Sequence, residues 1–147
     1  MATHNAVFID IDVLIYAKLS LSPFHRQAVE RLQTLEIAGT QFWISSQIIR
    51  EYLSALTRPS DLSAHILVAT LVEDSHYFVS QFEVAEDNRE TTERLLTLIE
   101  QVSVGGKQVY DANIVATMQA YEIPSLLTHN TQDFNRFSNL VTLMPLV

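Results

Sequence analysis

The stretch AVFIDIDVLIYA, residues 6–17, decides how the chain is to be read. Ala6, Val7, Phe8 and Ile9 form a short apolar run with the character of a buried strand, and Asp10 ends it at once. In a parallel α/β sheet the ligand crevice opens at the carboxyl ends of the strands. An acid in that position is therefore a candidate site residue, and equally a candidate cap for the next helix.

Working outward, further β-type runs lie at 41–44, 77–82, 125–127 and 141–144, separated by longer stretches of helical periodicity. Pro23 opens a helix that runs to about Ala38 and stops at Gly39. Ser45 or Ser46 caps a second, ending near Thr57 before Arg58 and Pro59. Asp61 begins a third, ending near Asp74. Residues 87–90 have a capping-box spacing and start a long helix that ends at Gly105 and Gly106. Another runs from about Val109 to Tyr121, and a short one starts at Thr131. Strands alternating with helices predict an α/β fold with a mainly parallel central sheet, and the absence of linkers or repeats predicts one domain over 1–147.

Composition narrows the function classes. The chain has 147 residues and no cysteine, which excludes a disulfide frame, a zinc–cysteine site and an iron–sulfur cluster. Seventeen acidic residues against nine basic ones give a net charge of −8, which argues against broad electrostatic capture of nucleic acid or anionic membrane. Asp10 and Asp12 interrupt the apolar stretch near the N-terminus and no Lys or Arg precedes it, so no signal peptide is expected there. The apolar run 13–17 falls far short of the roughly 20 residues of a membrane span, and a cytoplasmic location is expected.

Four acids lie where packing alone does not require them. Asp10 ends the first strand, with Asp12 two residues on. Glu51 points roughly 130° from the centre of the stripe formed by Ile48, Ile49, Tyr52, Leu53 and Leu56, which reads as a solvated position unless other acids join it. Asp111 shares a helical face with Ile114, Val115 and Met118; it is either an N-cap or a first-turn residue aimed inward. Asp133 follows the strand 125–127 by the polar turn Thr128, His129, Asn130, on the same edge as Asp10 if the two strands are parallel. Carboxylates gathered without a nearby Lys or Arg repel one another by about 4 kcal/mol at 4 Å and an effective dielectric near 20. Such a pocket holds protons or a cation, and all-oxygen ligands select Mg²⁺ or Mn²⁺, whose natural chemistry is phosphodiester hydrolysis.

Four segments, FIDIDVLIYA (8–17), SSQIIREYLSAL (45–56), VYDANIVATM (109–118) and LLTHNTQDF (126–134), together resemble the PIN-domain ribonucleases, above all the VapC-like toxins of prokaryotic toxin–antitoxin pairs. The resemblance implies a three-layer α/β/α domain with an acidic Mg²⁺/Mn²⁺ site that cleaves single-stranded RNA or exposed RNA loops. By position Asp10, Glu51 and Asp111 look like the three core metal-site acids and Asp133 like the fourth, with Asp10 and Asp111 as direct ligands. Thr128 and Asn130 match polar positions that shape the site. Asp12 departs from the family pattern, which has a small neutral polar residue there. The implied reaction is in-line attack by a metal-activated water, leaving 5′-phosphate and 3′-hydroxyl ends. An antitoxin protein partner and a homodimer are implied as well.

Two other readings compete. Asp10, Ile11, Asp12, Val13 also looks like the first motif of haloacid-dehalogenase-type phosphatases, with Asp10 as nucleophile and Lys107 as the later lysine, although a neighbouring acid pair and a cap domain are missing. A catalytically inactive PIN-like protein-binding module is the other. His4, His25, His65, His76 and His129 have no metal-ligand spacing and read mostly as surface residues; only His129 lies in a motif. Ser45, Ser46 and Asp61 make no hydrolase triad, since no Gly-x-Ser-x-Gly elbow exists. The nine cations are dispersed and mark no RNA track. Two divalent ions would bring the net charge from −8 to about −4, so RNA recognition should rest on bound metal and local shape.

Overall fold

The computed structural model describes residues 5–59 and 66–147. Five strands, β1 (Ala6–Ile9), β2 (Gln41–Ser45), β3 (Glu83–Ala85), β4 (Ser125–Thr128) and β5 (Thr142–Pro145), form one sheet in the order β3-β2-β1-β4-β5, and every pairing is parallel. The helices are α1 (Ile11–Lys18), α2 (His25–Ile37), α3 (Ser46–Thr57), α4 (Val68–Gln81), α5 (Arg89–Gln101), α6 (Gln108–Ala120) and α7 (Thr131–Phe134), the last followed by a 3₁₀ turn at Asn135–Phe137. Helix α1 packs on α2 and α3, α3 on α4, and α5 on α6. With the sheet between them this is the expected three-layer α/β/α arrangement. No helix among the described residues is long and apolar enough to cross a membrane.

The core follows from the strands. Phe8, Ile9, Ile44, Leu126 and Leu127 are fully buried, because parallel strands covered on both faces need apolar side chains on both. Ile48 and Tyr52 from α3 and Val115 and Met118 from α6 close over them. From β1 the chain moves through α1 and α2 to β2 and then β3 on one side; it returns through α5 and α6 to β4 and β5 on the other. The strand order therefore reverses between β1 and β4, and a crevice is expected beyond the carboxyl ends of those two strands.

Local signals set most boundaries. Ser45 Oγ accepts from Ile48 N at 3.4 Å and caps α3, while Asn88 Oδ1 accepts from Thr91 N at 2.9 Å and caps α5. At the end of α2, Gly39 (φ +79°) donates to Glu36 O and Thr40 N to Leu35 O, the paired bonds of a left-handed helix stop that favours glycine.

Three expectations need correction. Residues 77–81 are the last part of α4 and not a strand; the third strand is the shorter Glu83–Ala85. Tyr77, Phe78 and Val79 favour strand by propensity, but Leu71 and Phe78, seven residues apart, bury the same helical face and that burial prevails. The helix placed from Asp61 to about Asp74 is described from Val68 and continues to Gln81, while its expected start lies outside the described residues. Helix α5 ends at Gln101, before Gly105 and Gly106, because Val102 is already extended (φ −123°, ψ 128°).

Candidate active site

The crevice at the reversal holds a pair of buried carboxylates. Asp10 follows β1 directly; its backbone N–H still bonds to Leu127 O of β4 at 3.0 Å, and its extended backbone makes it the N-cap of α1. Only 6% of Asp10 is exposed. One oxygen, Oδ1, accepts from Ile11 N at 2.8 Å, and the other accepts from the Thr128 hydroxyl at 2.7 Å. Asp12, in the first turn of α1 and also buried, accepts from His129 N at 3.1 Å through Oδ2. Its other oxygen, Oδ1, is buried and has no hydrogen-bond partner.

Thr128 connects the two acids. Its Oγ lies 2.7 Å from Asp10 and 3.4 Å from Asp12, and it accepts from Asn130 N at 3.1 Å. A hydroxyl has one proton to donate, and the shorter contact assigns it to Asp10. Asp12 therefore relies on backbone N–H groups, the His129 N–H at 3.1 Å foremost, while its Oδ1 has no partner at hydrogen-bond distance. Burial, then the Asp12 charge, pushes the Asp10 carboxyl up to about 7, against the opposing bonds from Thr128 and Ile11. Burial likewise raises Asp12, against backbone donors at His129, Val13 and Asn130.

The other acids sit on helices around this pair. Helix α6 begins at Gln108, so Asp111 lies within its first turn and is not the cap; Lys107 occupies that position. Half-buried, Asp111 is pushed up to about 6, first by burial and then by the charge of Asp133, with Glu51 adding less and Arg136 acting in the opposite direction. The Asp111 charge also reaches Asp10. Glu51 is half-buried on α3, where its Oε1 accepts from Gln47 Nε2 at 3.0 Å. Asp133 is exposed on α7. A chain of charge interactions thus joins all five acids, Asp12 to Asp10, Asp10 to Asp111, and Asp111 to Asp133 and Glu51. Among the described residues, however, no three Asp, Glu or His side chains are arranged to hold a metal ion.

The donor set still suits a hard divalent cation. The bare Asp12 Oδ1, an Asp10 carboxyl held protonated to near neutrality by its surroundings, and an all-oxygen neighbourhood are what such an ion would satisfy. Asp12, the departure from the family pattern, is thereby part of the buried pair rather than a bystander.

Several residues did not stand out in the sequence. Arg136 corrects the expectation of a cluster without a cation: its charge acts on Asp111 while its guanidinium donates to Ser103 O (2.9 Å) and Gln108 Oε1 (2.8 Å). Asn113 Nδ2 donates to Gln47 Oε1 at 3.1 Å, so an amide relay links α6 through α3 to Glu51. The spacing of Gln47 and Glu51, four apart on a helix, was a visible signal; Asn113 had none until the fold brought α6 to α3. His129 packs its ring against Phe24 (4.1 Å between centroids) and Tyr16 (5.6 Å), and it acts on Asp12 first through its backbone N–H and then through its side-chain charge. His25 is half-buried with Nδ1 2.9 Å from Tyr16 O, and His76 is exposed; His4, His65 and Asp61 lie outside the described residues. Asn130 acts through its backbone N–H on Thr128, its side chain being exposed. Lys107 is exposed and is not among the charges acting on Asp10 or Asp111, which removes the structural support for a phosphatase lysine.

The comparisons with known proteins agree with this architecture. The family model of the PIN domain matches residues 7–140. The curated ribonuclease VapC48 of Mycobacterium tuberculosis is 26% identical over 133 residues, covering 89% of this chain and 91% of that protein. Among solved structures, a toxin–antitoxin complex from Klebsiella pneumoniae superposes with a TM-score of 0.66 at 21% identity, over 96% of this chain and 98% of the other. The sarcin–ricin loop cleaving toxin VapC20 of Mycobacterium tuberculosis gives 0.61 at 15% identity, over 82% and 86%.

Proposed function

The chain belongs to the PIN-domain family, and from that premise we propose that it is a metal-dependent endoribonuclease, the toxin of a toxin–antitoxin pair. The observation that carries the reading is the buried Asp10–Thr128–Asp12 arrangement at the strand reversal, with Asp111 within electrostatic reach. Asp10 and Asp111 would hold Mg²⁺ or Mn²⁺ directly, with Glu51 and Asp133 acting through water and Asp12 as a further carboxylate. Bound there, the ion would activate water for in-line attack on the RNA phosphodiester and offset charge on the phosphoryl oxygens.

The chain's own residues prepare that chemistry. Ile11 N and the Thr128 hydroxyl fix the orientation of the Asp10 carboxylate from both oxygens. Burial and the neighbouring acids raise Asp10 to about 7 and Asp111 to about 6, so with no cation present Asp10 is partly protonated near neutrality and Asp111 below about pH 6, and loading the site displaces those protons. Arg136 offsets part of the charge at Asp111. The acidic remainder of the surface disfavours indiscriminate RNA binding, so the target is chosen by shape and local contacts. The relatives named as ribonuclease, toxin and toxin–antitoxin complex support an RNA substrate and a cognate antitoxin. A homodimer and a cytoplasmic location complete the proposal.

The test is sequencing of RNA 5′ ends after brief induction of the wild-type protein and of Asp10→Asn, alongside cleavage by the purified protein with and without Mn²⁺. New 5′-phosphate ends that need both Asp10 and the metal are expected. Metal-independent cleavage, or equal cleavage by the variant, would overturn the assignment, and a phosphoaspartate trapped at Asp10 would favour the phosphatase instead.

A further inference from the structure

A groove of about 430 Å³ opens on the α3–α6 side of the acids, a size within the range of small-ligand pockets (roughly 300–1,000 Å³). Glu51 lines this groove and its charge acts on Asp111, so the groove lies beside the acidic site. Its other polar walls are Gln47, Arg50, Ser54, Asp87 and Asn113, and Tyr110 also lines it with 61% of its surface exposed. The ring of Tyr110 contacts no other ring among the described residues, and Arg50 makes no ion pair there.

We infer that this groove is a binding subsite for one unpaired nucleotide of the RNA, adjoining the phosphate to be cut, with Tyr110 as stacking platform and Arg50 as phosphate contact. The inference rests on the ribonuclease reading and extends it to recognition. An exposed aromatic ring offers a face to any base, which suits a single strand and excludes a base already stacked in a duplex. The amide relay is tied down at one end only: Gln47 donates to Glu51 and accepts from Asn113, which leaves Asn113 its Oδ1 and a second N–H for a base edge. Arg50 is the cation lining the groove and Glu51 and Asp87 oppose it, so a phosphate contact is confined to Arg50 and a tract of phosphates is disfavoured. Tyr110 lines the groove together with Glu51, whose charge acts on Asp111, and this shared wall sets the stacked base beside the acidic site.

Binding is read in the Asp10→Asn protein, which separates it from cleavage, with a short fluorescent single-stranded RNA of random sequence and a duplex of equal length as probes. Tyr110→Ala in that background is expected to weaken single-strand binding about tenfold, Tyr110→Phe to retain it, and the duplex to bind weakly and indifferently to both. Arg50→Gln is expected to flatten the salt dependence of binding. Because Tyr110 is exposed, its variants should keep the parent's circular dichroism and melting curve. Unchanged binding in Tyr110→Ala, equal loss in Tyr110→Phe, or equal dependence with the duplex overturns the subsite. Cleavage by the unsubstituted protein with Mn²⁺ is measured in parallel: if it persists while Tyr110 proves irrelevant, the subsite alone fails, and if it is absent the ribonuclease reading fails.

Discussion

Helix α1 has carboxylates at both ends, and they are treated in opposite ways. At its start Asp10 and Asp12 face each other across the Thr128 hydroxyl, buried, with neither in an ion pair with a Lys or Arg among the described residues. At its end Asp74 from α4 forms an ion pair with Lys18 at 2.9 Å and accepts the Tyr52 hydroxyl at 2.7 Å. Burial, then that bond to Asp74, pushes the Tyr52 phenol well above its ordinary range, so the phenol stays a donor at any physiological pH. The Asp74 cluster is closed, its charge and donors matched, and it ties α1, α3 and α4 together. The Asp10 cluster is open, which costs stability and leaves something for a ligand to complete.

Neutralising the open end should have the largest effect. Asp10→Asn is expected to lower RNA cleavage about a thousandfold or more, a loss of the size seen when one preorganised electrostatic contact is removed, while leaving the metal-free protein no less stable. Asn caps a helix as well as Asp, so an Asp10→Asn protein that unfolds readily would instead show that the fold depends on the Asp10 carboxyl itself. The sign with pH follows from the raised carboxyl. Between about pH 4 and about 7 the folded state binds a proton at Asp10 that the unfolded chain has released, so metal-free stability falls as pH rises through that window. Urea titrations at several pH values should show this slope for the wild type and a shallower one for Asp10→Asn. Asp111, pushed up to about 6, adds to the slope over a narrower range.

A cation should close the open end. Mn²⁺ at a hundred times its dissociation constant is expected to stabilise the wild type by about 2.7 kcal/mol and Asp10→Asn by much less, read as a shift in thermal midpoint. At the closed end the effect is purely structural: Asp74→Ala strands the Tyr52 hydroxyl and Lys18, and is expected to cost about 1–3 kcal/mol in urea denaturation with cleavage per folded molecule unchanged. A loss of activity there beyond the loss of fold would merge the two ends into one site. The smallest stability effect belongs to Asp111→Asn, expected within about 0.5 kcal/mol of wild type or above it because Asp111 is not the cap of α6, while its activity is lost.

Much of the fold and part of the site are legible in local sequence patterns. The run AVFI followed by Asp10 places an acid at a strand's carboxyl end, and Gly39 and Ser45 mark helix boundaries that the fold respects. Such features depend on backbone preferences and on spacing within one element. The strand expected at 77–82 failed for the complementary reason, since the packing of Leu71 and Phe78 against the core outweighs the β preference of three consecutive residues. Arg136 and Asn113 could not be read as neighbours of the site: Arg136 meets Gln108 across 28 residues of chain and Asn113 meets Gln47 across 66, contacts that only tertiary packing makes.

The α/β class, the acids beyond strand ends and on helix faces, and the resemblance carried by four ordered segments are all readable in the chain's order of residues, because period, capping and spacing are written locally. Only the tertiary structure decided which of those acids are desolvated together. It set Asp10 and Asp12 on either side of one hydroxyl, left one Asp12 oxygen bare, and brought Arg136 and the Asn113–Gln47 relay to their flanks. Charge interaction and desolvation depend on distances between elements far apart in the chain, and those distances exist only once the sheet has assembled.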